Sequence, residues 1–191
     1  MNIILASASP RRHEIMKKMG YKFRVAWADI DENINTENVA DAVCEIAKNK
    51  AEAVAKTEKG LIIAADTVVA IDGKIMGKPK DEEEAYAMLS LLSGKRHEVY
   101  TGVCVKSSNK TVIFNEKTSV FFRQLSEEEM WEYIKTGEPM DKAGAYGIQG
   151  AGGLFVKKID GDYMNVIGLP ATHLYTVLSN EFGVKGKGNC E

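Results

Sequence analysis

The sequence is poor in cysteine and histidine, with three of each among 191 residues. Cys44, Cys104 and Cys190 are scattered and form no CxxC pair. That argues against a disulfide framework or a zinc site and suits a reducing cytoplasm. His13, His97 and His173 show no metal-ligand spacing. Neither sign of charge dominates: 25 Lys and Arg face 27 Asp and Glu, for a net charge of −2. This excludes the broad basic face that a nucleic-acid polymer requires. No apolar run approaches membrane-spanning length, and Met1-Asn2-Ile3-Ile4 has no basic leader or long apolar core of a signal peptide. A cytoplasmic protein with neither membrane nor nucleic-acid partner is expected. GxSxG and GxxxxGK[ST] are absent, which excludes a serine-hydrolase elbow and a P-loop. Gly147, Gly150, Gly152 and Gly153 do not form a GxGxxG after a strand, which argues against a dinucleotide fold.

What is present is an apolar fraction of 45%, enough for a sizeable core. Ile3 to Ala6 reads as a strand, followed by a loop and a helix with Ser9 as N-cap and Pro10 at the first helical position. Tyr21 to Ala26 is a second strand. Asn38 caps a helix to about Lys56. Leu61 to Ala65 is a buried strand ending at Asp66-Thr67, and Asp72-Gly73 marks a hairpin. A capping box, Asp81/Glu84, opens a helix to Leu92, and Ser126/Glu129 opens another to Lys135. Residues 97–106 and 111–122 form a long antiparallel pair. A hairpin around Asp160-Gly161 and a helix from Pro170 to Phe182 follow. With no repeat and no low-complexity linker, the pattern predicts a single α/β domain over 1–183, divided into two lobes, and a flexible tail over 184–191.

Three clusters carry the chemistry. Ser7-Ala8-Ser9-Pro10-Arg11-Arg12 puts hydroxyls, free N–H groups, a positive helix end and two guanidiniums on one spot, a setting for phosphate. The same six residues read equally as a capped helix with a solvated basic pair. Asp66, after an apolar strand, is poised to bind a metal or activate a water, or else simply caps the next segment. Glu32 with Asp66 would suffice to hold magnesium or manganese on a phosphate chain, although Asp31 and Glu32 alone read as loop charges. Lys50 and Lys78 each resemble surface lysines, yet with Arg11 and Arg12 they neutralise a triphosphate. Between Glu138 and Gly150, Gln149 offers a donor and an acceptor suited to a nucleobase edge, in what is otherwise a structural loop.

Taken together, SASPRR (7–12), DIDE (29–32), KNKAEAVA (48–55), AADT (64–67), GKP (77–79), GKRHEVYTG (94–102), EPMDKAGAYGIQG (138–150) and GDYMNVIGLP (161–170) resemble the Maf family of nucleoside triphosphate pyrophosphatases. The resemblance implies a long twisted mixed sheet with helices on both sides, two lobes around a cleft, similar to inosine-triphosphate pyrophosphatases. It implies cleavage of a nucleoside triphosphate to a monophosphate and pyrophosphate with a divalent cation, by a homodimer. Asp66 matches the family's general base. Arg11, Thr67 and Gln149 match positions tied to substrate choice, while Ser7, Arg12, Glu32, Lys50 and Lys78 match other pocket residues. Arg11, Ala65-Asp66-Thr67 and Ala145 to Gly150 resemble the dTTP/UTP branch rather than the 7-methyl-GTP branch, and leave open a normal nucleotide or a modified one such as 5-methyl-UTP or pseudouridine triphosphate. The family's association with septum formation leaves a non-catalytic nucleotide-binding regulator as one alternative, and the same reaction on 7-methyl-GTP is the other.

Overall fold

A computed structural model describes residues 2–32, 36 and 38–186. In chain order the elements are β1 (Ile3–Ala6), α1 (Pro10–Lys18), β2 (Phe23–Val25), α2 (Val39–Ala55), β3 (Leu61–Ile71), β4 (Lys74–Met76), α3 (Glu82–Leu92), β5 (Arg96–Lys106), β6 (Thr111–Phe122), α4 (Glu127–Ile134), β7 (Val156–Asp160), α5 (Tyr163–Ile167) and α6 (Ala171–Phe182). Short 3-10 turns occupy Glu138–Asp141, Ala143–Ala145 and Ala151–Phe155. The strands form one mixed seven-stranded sheet in the order β2-β1-β3-β5-β6-β7, with β4 paired to β3. The expected α/β class is therefore present. Contacts divide the chain into two compact units. One comprises Met1–Asp66, Thr101–Glu116 and Gly168–Glu191, the other Thr67–Tyr100 and Lys117–Ile167.

In the first unit, β1 pairs in parallel with both β2 and β3, with Ile3 opposite Phe23 and Leu61. Ile4, Leu5, Leu61 and Ile63 have no exposed surface, so burial on both faces explains their unbroken apolar runs. α2 lies on this layer through small residues: Ala47, Ala51 and Val54 pack with Ile4, Ala6, Ile62, Ala64 and Cys104. The helix comes so close that a Cβ at Gly102 would collide with the backbone of Val43. Asn38 Oδ1 accepts the Ala40 N–H at 2.9 Å and caps α2.

In the second unit, α3 and α4 pack Ala85, Leu89, Leu92, Met130 and Ile134 against Val99, Val120 and Phe122. Tyr86 stacks on Trp131 with ring centroids 4.9 Å apart. The hairpin between β3 and β4 turns at Asp72 (φ 51°) and Gly73 (φ 76°), the left-handed pair a two-residue turn requires. The Ser126/Glu129 capping box is complete.

Several expectations are corrected. Ser9 is the N-cap of α1, but its side chain makes no cap bond; its N–H instead donates to Ser7 Oγ at 3.2 Å. Asp81 Oδ1 accepts the Glu84 N–H at 2.8 Å, whereas the Glu84 carboxylate takes the N–H of Lys80 rather than that of Asp81, so the box is only half formed. β3 does not end at Asp66 but continues to Ile71. No hairpin forms at Asp160-Gly161: Asp162 Oδ1 accepts the Met164 N–H at 2.7 Å and starts α5. Within the expected tail, the Val184 N–H donates to Leu178 O at 2.9 Å. Residues 187–191, with Cys190, lie outside the described residues.

Candidate active site

The parallel strands of the first unit deliver their carboxyl ends to one place, where ligands gather in open α/β sheets. Pairing of β1 with β3 stops at Ala6 and Ala64, and β3 meets β4 only from Val69. Asp66 thus follows the parallel part of its strand, which places it as a strand-end residue would be placed. Ser7 follows β1, and the loop after β2 leads to Glu32. Ser7 is buried, and its Oγ accepts from the Ser9 N–H and from Arg12 Nη1 at 3.3 Å. Arg12 Nε donates to Gly168 O at 2.7 Å. Burial pushes the Arg12 pKa down, while Asp66 and Glu32 oppose that shift and Arg11 adds to it. The guanidinium stays charged and feels both carboxylates.

Lys50 rides on α2 and joins the acids. Its Nζ lies 2.7 Å from Asp66 Oδ1 and 2.7 Å from Glu32 Oε1. Asp66 is 7% exposed. An ammonium seated between two carboxylate oxygens is a stand-in for a cation. The donor set is hard oxygen, as magnesium or manganese prefers, and such ions are typically held by one or two carboxylates plus substrate phosphates. Among the described residues no group of three or more His, Cys, Asp or Glu gathers as a metal cluster.

Thr67, Lys78 and Gln149 belong to the second unit. Thr67 is half-buried in β3, directly after Asp66. Lys78 is exposed, in a loop tied down by the Gly144 N–H donating to Gly77 O at 3.0 Å. Gly144 adopts φ 69°, and a Cβ there would come within 2.9 Å of Val69. Gln149 is exposed, between Gly147 and Gly150.

Sequence reading missed His13, whose Nε2 lies 2.7 Å from Ser7 O, and Gly168, whose carbonyl holds Arg12. Nothing local signals the Gly168 contact, because Arg12 and Gly168 are 156 residues apart, whereas His13 meets Ser7 only six residues away. His97 lies within GKRHEVYTG and has no metal-ligand spacing in the sequence. It is fully buried beside Phe122 and Tyr146, with Nε2 2.9 Å from the Tyr146 hydroxyl.

The sequence model of the family described as Maf-like protein matches residues 2–181. The dTTP/UTP pyrophosphatase of Carboxydothermus hydrogenoformans is 51% identical over 181 residues, 93% of this chain and 97% of that one. The enzyme of the same name from Bacillus cytotoxicus is 52% identical over 90% of this chain and 91% of its own. That from Thermococcus onnurineus is 49% identical over 95% and 99%. Among solved structures, the Ham1 protein of Staphylococcus aureus is 19% identical, with a TM-score of 0.49 over 64% of this chain and 72% of that one.

Proposed function

The chain belongs to the Maf-like protein family, and on that premise we propose that it hydrolyses dTTP and UTP to the nucleoside monophosphate and pyrophosphate. The observation that carries this reading is 51% identity over 93% of the chain with an enzyme of that name. The gathering of Glu32, Lys50 and Asp66 supports it, because a protein that only binds nucleotide has no need of a water-activating carboxylate.

Ser7, Arg11, Arg12 and the amino end of α1 bind phosphate oxygens. Lys50 exchanges carboxylate for phosphate contacts, and Lys78 supplies a further cation. Asp66 accepts the proton of the water that attacks the α-phosphorus. Glu32 and Asp66 would hold magnesium or manganese, which when bound neutralises charge on the phosphate chain. Catalysis of this kind is mostly positioning and charge stabilisation, and a cation-rich site with one base matches that demand. Arg11, Thr67 and Gln149 select the substrate, with Thr67 and Gln149 facing the pyrimidine. Base-edge hydrogen bonds reject a mismatched base because its partners stay unpaired. We place the enzyme in the cytoplasm as a homodimer; its mass in solution should be about twice the chain's 21.0 kDa.

The test is release of pyrophosphate from a panel of nucleotides with magnesium or manganese. dTTP and UTP, or their modified forms 5-methyl-UTP and pseudouridine triphosphate, should lead by kcat/KM. Binding without release would turn the protein into a regulator, and preference for 7-methyl-GTP would move it to the other branch.

A further inference from the structure

The loop that carries Gln149 is wrapped around a single carboxylate. Tyr133, buried on α4, donates its hydroxyl hydrogen to Glu138 Oε1 at 2.9 Å. The same hydroxyl oxygen accepts the Gly147 N–H at 3.0 Å. Glu138 Oε2 accepts the Ala151 N–H at 3.1 Å, and Oε1 lies 3.5 Å from the Gly152 nitrogen. The segment is therefore held on both sides of its exposed residue: at Gly147 before it and at Ala151 and Gly152 after it. The fit leaves no space for a side chain at Gly147, Gly150 or Gly152. A Cβ on Gly147 would lie 2.9 Å from Glu138 Oε1, and one on Gly152 would lie 2.7 Å from the Tyr133 hydroxyl. One on Gly150 would collide with both oxygens of the Glu138 carboxylate. A carboxylate suits this place because it only accepts hydrogen bonds and can serve several donors at once.

We propose that Glu138 and Tyr133 are positioning residues for base selection: together they hold the 147–152 segment so that Gln149 presents its amide in one orientation. Neither touches substrate; both act through Gln149. The proposal rests on the reading of Gln149 as a pyrimidine contact. Glu138→Gln keeps the shape but turns an amide donor toward the loop's N–H groups. Tyr133→Phe deletes one hydroxyl and the link from Gly147.

The experiment compares kcat and KM for dTTP, UTP, CTP and GTP in the wild type, Glu138→Gln, Tyr133→Phe, Gln149→Ala and the Glu138→Gln/Gln149→Ala double variant, with thermal midpoints alongside. Glu138→Gln and Tyr133→Phe should each raise KM for dTTP and UTP about tenfold, the scale of one lost hydrogen bond, with kcat little changed. Their preference profile should move toward that of Gln149→Ala, and the double variant should lose little more than Gln149→Ala alone. If Gln149→Ala changes the profile while Glu138→Gln and Tyr133→Phe keep that of the wild type, the positioning role is wrong and the reading of Gln149 stands. If Gln149→Ala itself leaves the profile unchanged, the base contact is wrong and the inference falls with it. A fall in kcat for every nucleotide in proportion to the drop in thermal midpoint would mark a merely structural role and overturn the proposal. Should Glu138→Gln fail to fold, Tyr133→Phe carries the same comparison.

Discussion

The Lys50 ammonium lies 2.7 Å from Asp66 Oδ1 and 2.7 Å from Glu32 Oε1, so one cation neutralises two acids. Lys50→Met leaves a nearly buried carboxylate without that partner, which costs about 2 kcal/mol of stability. Urea unfolding should show this, and turnover should fall at least about tenfold as a phosphate contact is lost as well. Asp66→Asn should fold and bind nucleotide but lose about 10²- to 10⁴-fold in kcat, the usual scale for a general base. His97 yields a pH prediction. Burial lowers its pKa from 6.5 to about 4, so the native state holds it neutral while the unfolded chain takes up a proton first. Its contribution is fully present above pH 6.5 and is lost as pH falls toward 4. The loss is on the order of 3 kcal/mol. Denaturant midpoints measured down that range should fall less steeply in His97→Gln than in the wild type. At this scale the sequence named Lys50 and Asp66 but could not show their contact, because residues 16 apart meet only when α2 folds onto β3.

Helices and strands are the most legible features of this sequence, for local reasons. Asn38, Ser126 and Asp81 cap the helices they were expected to open. Asp72-Gly73 turns the hairpin. The misreadings have local causes too. Asp160-Gly161 looks like a hairpin turn, but Asp162 competes for the next N–H and nucleates a helix instead. Asp66 and Thr67 looked like the end of a strand because polar residues broke an apolar run, whereas β3 runs on into its pairing with β4. Asn38→Ala should cost about 1 kcal/mol, the usual worth of an N-cap, read from the midpoint of thermal unfolding. Gly102→Ala should destabilise by about 1–3 kcal/mol through overpacking. It should also reduce turnover, since the added methyl pushes against Val43 on the helix that carries Lys50. Unchanged activity in a destabilised Gly102→Ala would separate the seat of α2 from catalysis.

For the molecule as a whole, the class was legible because βα units and long antiparallel pairs alternate along the chain, and the family because its motifs are long and occur in order. What was not legible is how the carboxyl ends of β1, β2 and β3 gather Ser7, Arg12, Glu32 and Asp66, because that depends on parallel register between segments far apart in sequence. In the proposed mechanism this gathering activates a water toward the α-phosphorus. Hydrolysis of dTTP in oxygen-18 water, followed by mass spectrometry of both products, tests it directly. The label should enter the nucleoside monophosphate and leave pyrophosphate unlabelled. Label in pyrophosphate, or orthophosphate as the first product, would rule out attack of water on the α-phosphorus.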